Sequence, residues 1–215
     1  MTRDLLLLRR LAPVALGLVV ACAAPRQAVE IAFDSEAELA RWEFTDAAAF
    51  RWAREESDGR GCLELHAASS YQPPHRSPLA LAILRDVECG DFTLKVRARQ
   101  TGREYGHRDL VFVFAWRDPA HFLYAHLASQ ADANAHQVML VDGAPRRPVT
   151  TARTTGIDWG DGWHDIELRR RGVEVEVLFD GVQALRAEVP TWPGRIGLGS
   201  FDDTGRFADL SIWLP

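Results

Sequence analysis

From residue 29 onward the chain is dominated by a repeat of two. Phe92, Leu94, Val96 and Ala98 alternate with Thr93, Lys95, Arg97 and Arg99, and Val173, Val175, Val177 and Phe179 alternate with Glu174 and Glu176. Such alternation puts every second side chain on one face, as a half-buried strand requires. Leu110 to Trp116 is apolar throughout, which predicts a central strand covered on both faces. The runs are short and punctuated by turns. Arg171-Gly172 joins His164–Arg170 to Val173–Phe179 in a tight hairpin, and Asp180-Gly181 turns the chain into Val182–Ala187. Arg195–Phe201 and Phe207–Trp213 read as closing strands. The pattern favours an all-β sandwich or barrel. One helix signal stands out, the capping-box pattern Ser35-Glu36-Ala37-Glu38 before Leu39 and Trp42, so at most one or two short helices are expected.

A chain of 215 residues can bury one sizeable core, and residues 29–215 show no linker, internal repeat or low-complexity segment, which predicts one domain. Residues 1–22 read as a secretory signal. Arg3, Arg9 and Arg10 supply the positive start, Leu11–Val20 an apolar stretch too short to span a bilayer comfortably, and Ala21 a small residue for cleavage. Val19-Val20-Ala21-Cys22 resembles the bacterial lipobox, which implies acylation of Cys22 and a short tether over residues 23–28. Ala23 in place of Asp resembles the pattern of lipoproteins sent to an outer membrane, so the implied location is the cell envelope, periplasmic or at the surface. The alternative is ordinary cleavage near Ala23 or Ala24. After the signal no apolar stretch could cross a membrane, so membrane attachment rests on Cys22 alone. Formal net charge is −5 and Lys95 is the only lysine among 25 basic residues. No basic block or recognition-helix pattern supports a nucleic-acid partner. Cys62 and Cys89 remain for the folded part, where export permits a disulfide and two small buried thiols are the alternative.

Chemistry is expected in Thr101–His136, which holds two of the three tyrosines and four of the seven histidines beside two strand-like runs. On Phe122–Ala128, alternation turns Phe122, Tyr124 and His126 one way and Leu123, Ala125 and Leu127 toward the core, so Tyr124 and His126 should look outward. His107 and Asp109 share a face opposite Arg108. If Phe122–Ala128 pairs with His136–Val141 around Ser129–Ala135, His126 comes within cross-strand reach of His136. The candidate catalytic residues are His107, Tyr124, His126, Glu104 and Asp109. Candidate ligand-binding residues are Arg76, Arg103, Tyr105, Arg108, His136, Tyr71 and His75. Arginine forks fit a uronic carboxylate while tyrosine or histidine moves the proton of a β-elimination. A glycosidase needs two carboxylates, for which Glu104 and Asp109 could serve. His107, His126, His136 and Asp132 could hold a metal, but no short metal-binding motif is present. The plainer reading of each is structural: histidines, arginines and Arg-Asp pairs beside strands often satisfy backbone groups. Asp202-Asp203-Thr204-Gly205 most simply makes a tight turn, with calcium the alternative; otherwise no cofactor is expected.

The order of the pieces carries a resemblance. The opening Ile31-Ala32-Phe33-Asp34, Gly162-Trp163-His164 leading to Phe179-Asp180-Gly181, and Gly194-Arg195-Ile196-Gly197-Leu198-Gly199-Ser200-Phe201 look like concanavalin A-like jelly rolls of two antiparallel sheets. Within them the chain resembles the bacterial 3-keto-disaccharide hydrolase or family-sixteen-like glycosidase domain. It is similar to an exported subgroup carrying Tyr71-Gln72-Pro73-Pro74-His75-Arg76-Ser77-Pro78, Gly102-Arg103-Glu104-Tyr105-Gly106-His107-Arg108-Asp109 and Ser200-Phe201-Asp202-Asp203-Thr204-Gly205. The resemblance implies a carbohydrate ligand and hydrolysis of a glycan or modified sugar. A non-catalytic binder and a lyase are the alternatives. The Glu-x-Asp-x-x-Glu strand motif of family-sixteen glycosidases is absent.

Overall fold

The computed structural model describes residues 26–55 and 58–215; the expected signal, lipobox and Cys22 lie outside them. In chain order the strands are β1 (Arg26–Ile31), β2 (Trp42–Phe44), β3 (Phe50–Arg54), β4 (Gly61–Leu65), β5 (Ala80–Cys89), β6 (Phe92–Gln100), β7 (Asp109–Asp118) and β8 (His121–Ala128). They continue as β9 (Gln137–Asp142), β10 (Arg147–Pro148), β11 (Thr150–Arg153), β12 (His164–Arg171), β13 (Glu174–Phe179), β14 (Val182–Glu188), β15 (Gly194–Ser200) and β16 (Gly205–Leu214). They form two antiparallel sheets in a jelly-roll sandwich. The nine-stranded sheet runs β11-β14-β13-β12-β6-β16-β4-β3 with β1 also on β16, and the seven-stranded sheet runs β10-β9-β8-β7-β15-β5-β2.

Alternation positions the core as expected. Leu94 and Val96 of β6, Ile166 and Leu168 of β12 and Phe207 of β16 meet Leu110, Phe112 and Phe114 of β7 and Leu123, Ala125 and Leu127 of β8. Phe112 and Phe207 pack edge-on, ring centroids 6.2 Å apart. Each large side chain buried this way contributes roughly 1.5–3 kcal/mol. Asp180 and Gly181 both take positive φ, 49° and 78°, which is the geometry an Asp-Gly hairpin turn needs. Val173 departs from its expected face: the β12–β13 turn uses Gly172 at φ 57°, so Val173 falls in the turn and is exposed. The Ser35 signal yields a 3-10 helix at Glu36–Arg41 with no side-chain cap, and a second 3-10 turn covers Ala47–Ala49.

Of the two outcomes open for Cys62 and Cys89, the disulfide does not form. Cys62 and Cys89 are both free and buried. Leu63 and Leu65 of β4 point into the core, so Cys62 faces the other side of its sheet among Glu55, Glu64 and Arg206, while Cys89 lies in the core cluster. Burial pushes the two thiols up to about 11 and about 12.

Candidate functional site

The outer face of the seven-stranded sheet is a second apolar surface. Leu81, Ile83, Val111, Val113, Trp116, Phe122, Tyr124, Met139 and Val141 form a buried cluster separate from the core between the sheets. The β4–β5 connection, residues 66–79, crosses this face as a strap. Ser77 and Pro78 are buried in it. Ser70 N donates to Asp46 Oδ2 (2.8 Å), Arg146 N to Arg76 O (3.1 Å) and Leu79 N to Phe201 O (3.3 Å), which tie the strap down along its length.

Tyr124 and His126 do point away from the core, but under this cover. Tyr124 is 0 % exposed and its hydroxyl accepts from Arg146 Nη1 at 3.0 Å; burial holds its phenol above the ordinary tyrosine range. The Arg146 guanidinium lies 4.2 Å from the Phe201 ring, and that ring stacks on His126 at 6.4 Å. His126 is 3 % exposed, donates through Nδ1 to Asn134 O (3.1 Å) and has Nε2 3.0 Å from Asp109 Oδ2.

Behind His126 lies a buried pair of acids. Asp109 Oδ1 accepts from Ser200 Oγ (2.8 Å) and Phe201 N (3.3 Å). Asp203 Oδ2 accepts from Asp109 N and from the Tyr105 hydroxyl, both at 2.9 Å. Burial, with the Asp109 charge nearby, pushes the Asp203 carboxyl up to about 6. Burial, with the Asp203 carboxylate that accepts its hydroxyl, raises the Tyr105 phenol above the ordinary tyrosine range. Carboxylate oxygens of Asp109, Asp202 and Asp203 lie within 4.8 Å of one another. Calcium takes six to eight oxygen ligands. Here Asp109 Oδ1 and Asp203 Oδ2 are already committed to protein donors and Asp109 Oδ2 faces His126, so the set does not fit that ion.

Asp132 organises the β8–β9 loop. Burial would lift its carboxyl, but Asn134 N, Ala135 N and His107 Nε2 (2.7 Å) hold it below the usual range. His136 sits at φ 55°, is 0 % exposed and bonds Thr154 Oγ1 through Nε2 at 2.9 Å. Burial, with Arg153 and His126 nearby, lowers its imidazole to about 4. In the β8–β9 ladder His126 lies opposite Gln137, not His136. The three histidines engage Asp132, Asp109 and Thr154 separately and share no coordination point.

What is open is a cleft at the end of the sandwich where the β6–β7, β8–β9 and β11–β12 loops are knitted by Gln130 N to Gly106 O (2.9 Å), Ala131 N to Thr155 O (2.9 Å) and Ile157 N to Ala128 O (3.1 Å). Its volume is about 470 Å³, and Glu104, Tyr105, Arg108, Gln130, Asp158 and Trp159 are among its walls. Arg108 is 4 % exposed and its fork is fixed from behind, Nε to Gln100 Oε1 (2.6 Å) and Nη2 to Gln100 O (3.2 Å). Its outer nitrogens lie 3.5 Å from Glu104 and 3.9 Å from Asp161. Preorganised cations, carboxylates and amides at an open mouth are suited to hydroxyl-rich ligands.

The expected single outward patch is therefore corrected. Glu104, Tyr105 and Arg108 meet at the end cleft, with Arg103 stacked on Tyr105 at 5.0 Å. Tyr124, His126, Asp109 and His136 are sealed inside, and His107 is exposed but committed to Asp132. Tyr71, His75 and Arg76 belong to the strap; Tyr71 lines a separate small pocket. His164 is structural, bonded to Asp180 Oδ2 and Trp159 O at 2.7 Å each. Sequence reasoning missed Gln100, Gln130 and Asp158. It assigned Asp203 to a turn, although a second Asp beside Ser200 was the available signal.

The fold and site define a two-sheet jelly-roll sandwich with a loop-end cleft. No protein family and no curated protein matches the sequence. Solved structures resemble the fold. The carbohydrate binding module CBM66 from Bacillus subtilis aligns with TM-score 0.58 at 12% identity, over 80% of this chain and 95% of the module. A putative glycosyl hydrolase from Parabacteroides distasonis ATCC 8503 aligns with TM-score 0.58 at 11% identity, over 87% and 100% of the two chains. Domain 4 of AbnA, a GH43 extracellular arabinanase from Geobacillus stearothermophilus in complex with arabinotriose, gives 0.55 at 12%, over 88% and 93%. At these identities the likeness is one of fold.

Proposed function

We propose that this chain is a carbohydrate-binding protein that takes a neutral glycan in the cleft between the β6–β7, β8–β9 and β11–β12 loops. The observation that carries the reading is the buried, fixed Arg108 fork beside Glu104, Gln130 and Asp158 at an open mouth. One cation faces two carboxylates there, Glu104 and Asp161, so the cleft favours hydroxyl donors over a uronate. The carbohydrate-binding module and arabinanase domain among its structural neighbours support the ligand class.

Hydrolysis is the second reading, supported by Glu104 and Asp158 lining one cleft and by the resemblance to 3-keto-disaccharide hydrolase domains. A lyase loses support, since Tyr124 and His126 are buried and the Tyr105 hydroxyl is engaged by Asp203 Oδ2. Residues 1–22 support export and acylation at Cys22 in a bacterial envelope, which metabolic labelling with a fatty acid tests. A mature protein starting after Cys22 and carrying no label refutes that assignment.

The function is tested by titrating the purified protein with a panel of neutral, oxidised and uronic oligosaccharides while assaying each for turnover. Binding of a neutral glycan that Glu104→Ala and Gln130→Ala weaken, with melting temperature unchanged, is expected. Binding that neither substitution alters would refute this cleft as the site.

A further inference from the structure

Away from the loop-end cleft, toward the β2 edge of the seven-stranded sheet, the strap leaves a pocket of about 180 Å³ on the outer face. Tyr71 and Trp116 give it two aromatic walls, Ile83 its floor, Pro119 of the β7–β8 turn a further apolar side, and Glu43 and Thr45 its polar edge; the Phe44 ring turns the other way, onto Phe50 in the core. Glu43 Oε2 is held by Arg195 Nη1 at 2.8 Å, so the carboxylate is fixed in place with Oε1 left as an acceptor. The Thr45 hydroxyl donates to Leu79 O at 3.0 Å and serves the strap. The Tyr71 hydroxyl bonds no other described residue. Arg195 balances the one carboxylate, so the pocket presents no unpaired charge.

We propose that this pocket binds the terminal ring of a glycan, a second subsite distinct from the loop-end cleft. Sugar rings carry an apolar C–H face and a rim of hydroxyls. The aromatic walls match the face, and the Glu43 carboxylate and Tyr71 hydroxyl match the rim. A lipid tail or apolar peptide side chain would fill the aromatic walls but bury the Glu43 edge against nothing that can donate to it. The pocket takes a single ring because it is far smaller than the cleft, and the sheet surface beyond it is already filled by the cluster from Val111 to Val141. A chain end can enter; a chain middle cannot pass along the sheet. The proposal rests on the glycan-binding reading above but uses none of the cleft residues.

The test is calorimetric titration of the full chain with free arabinose, xylose, fructose, glucose and galactose and with their oligosaccharides. Tyr71→Ala and Glu43→Gln change two half-buried residues outside the core, so both variants should fold, which melting checks. The expected result is that both weaken oligosaccharide binding about tenfold or more. The matching free monosaccharide should compete with the oligosaccharide for wild type, and Tyr71→Ala and Glu43→Gln should weaken that competition. If wild type binds an oligosaccharide that Glu104→Ala weakens and Tyr71→Ala and Glu43→Gln do not, the pocket is refuted and the cleft stands. If wild type binds none of these sugars at tens of millimolar, both readings fall.

Discussion

Asp203→Asn tests whether the buried acid pair at the start of β7 stores electrostatic strain. Asp203 is 8 % exposed, and burial with the Asp109 charge lifts its carboxyl from an ordinary 3.8 to about 6. A carboxyl whose folded value is raised favours the protonated form in the fold, so its contribution to stability is intact below about pH 4. It is lost as pH rises through about 6. The full difference, about two units at 1.36 kcal/mol each, is about 3 kcal/mol above that window. An amide at this position has the same shape, and its oxygen can still accept from Asp109 N and the Tyr105 hydroxyl, the two donors that Asp203 Oδ2 now serves. Urea unfolding of wild type and Asp203→Asn should therefore give nearly equal free energies at pH 4, the variant pulling ahead between pH 4 and 6. By pH 8 it should gain up to about 3 kcal/mol. A difference that stays flat across this range, or a variant less stable than wild type at pH 8, would refute the strain. Asp203 would then be an ionised residue whose two hydrogen bonds outweigh its burial.

Tyr124→Phe keeps the ring in its apolar cluster and removes only the acceptor for Arg146, so denaturant unfolding should show a loss of about 1 kcal/mol, with ligand titration unchanged. Gly156 has φ 141°, and a Cβ there would overlap the Ser129 carbonyl; Gly156→Ala should cost more than 1 kcal/mol in the same unfolding assay and weaken binding at the loop-end cleft, since Ser129 is one of its walls. Native protein should leave Cys62 and Cys89 unreacted toward a disulfide reagent at pH 8 and expose both in denaturant, and reductant should not shift its melting temperature.

Strand positions were legible because alternation reports a face directly: β6, β7, β12 and β13 lie where their apolar spacing predicts, and Tyr124 and His126 leave the core on the side expected. Alternation does not report what lies over that face. The strap carries three prolines and no periodic pattern, so nothing in Tyr71–Pro78 announces that it roofs the outer sheet and turns an outward tyrosine into a buried one. The clue was in the covered face itself, where Leu81, Ile83, Val111, Val113, Met139 and Val141 are too apolar for open water. The cleft was partly legible through Gly102–Asp109. Gln130 and Asp158 join it only through loop pairing that spans tens of residues, which no local pattern encodes.

The roofed sheet face has a consequence for handling and for the life of the molecule. A protease cut in residues 66–79 would sever no core strand, yet it would loosen part of the cover over a contiguous apolar field on the outer sheet. The clipped protein would keep its fold and become adhesive, joining other copies or any greasy surface within reach. Intactness of this one connection, more than the melting temperature, should govern how long the protein stays dispersed.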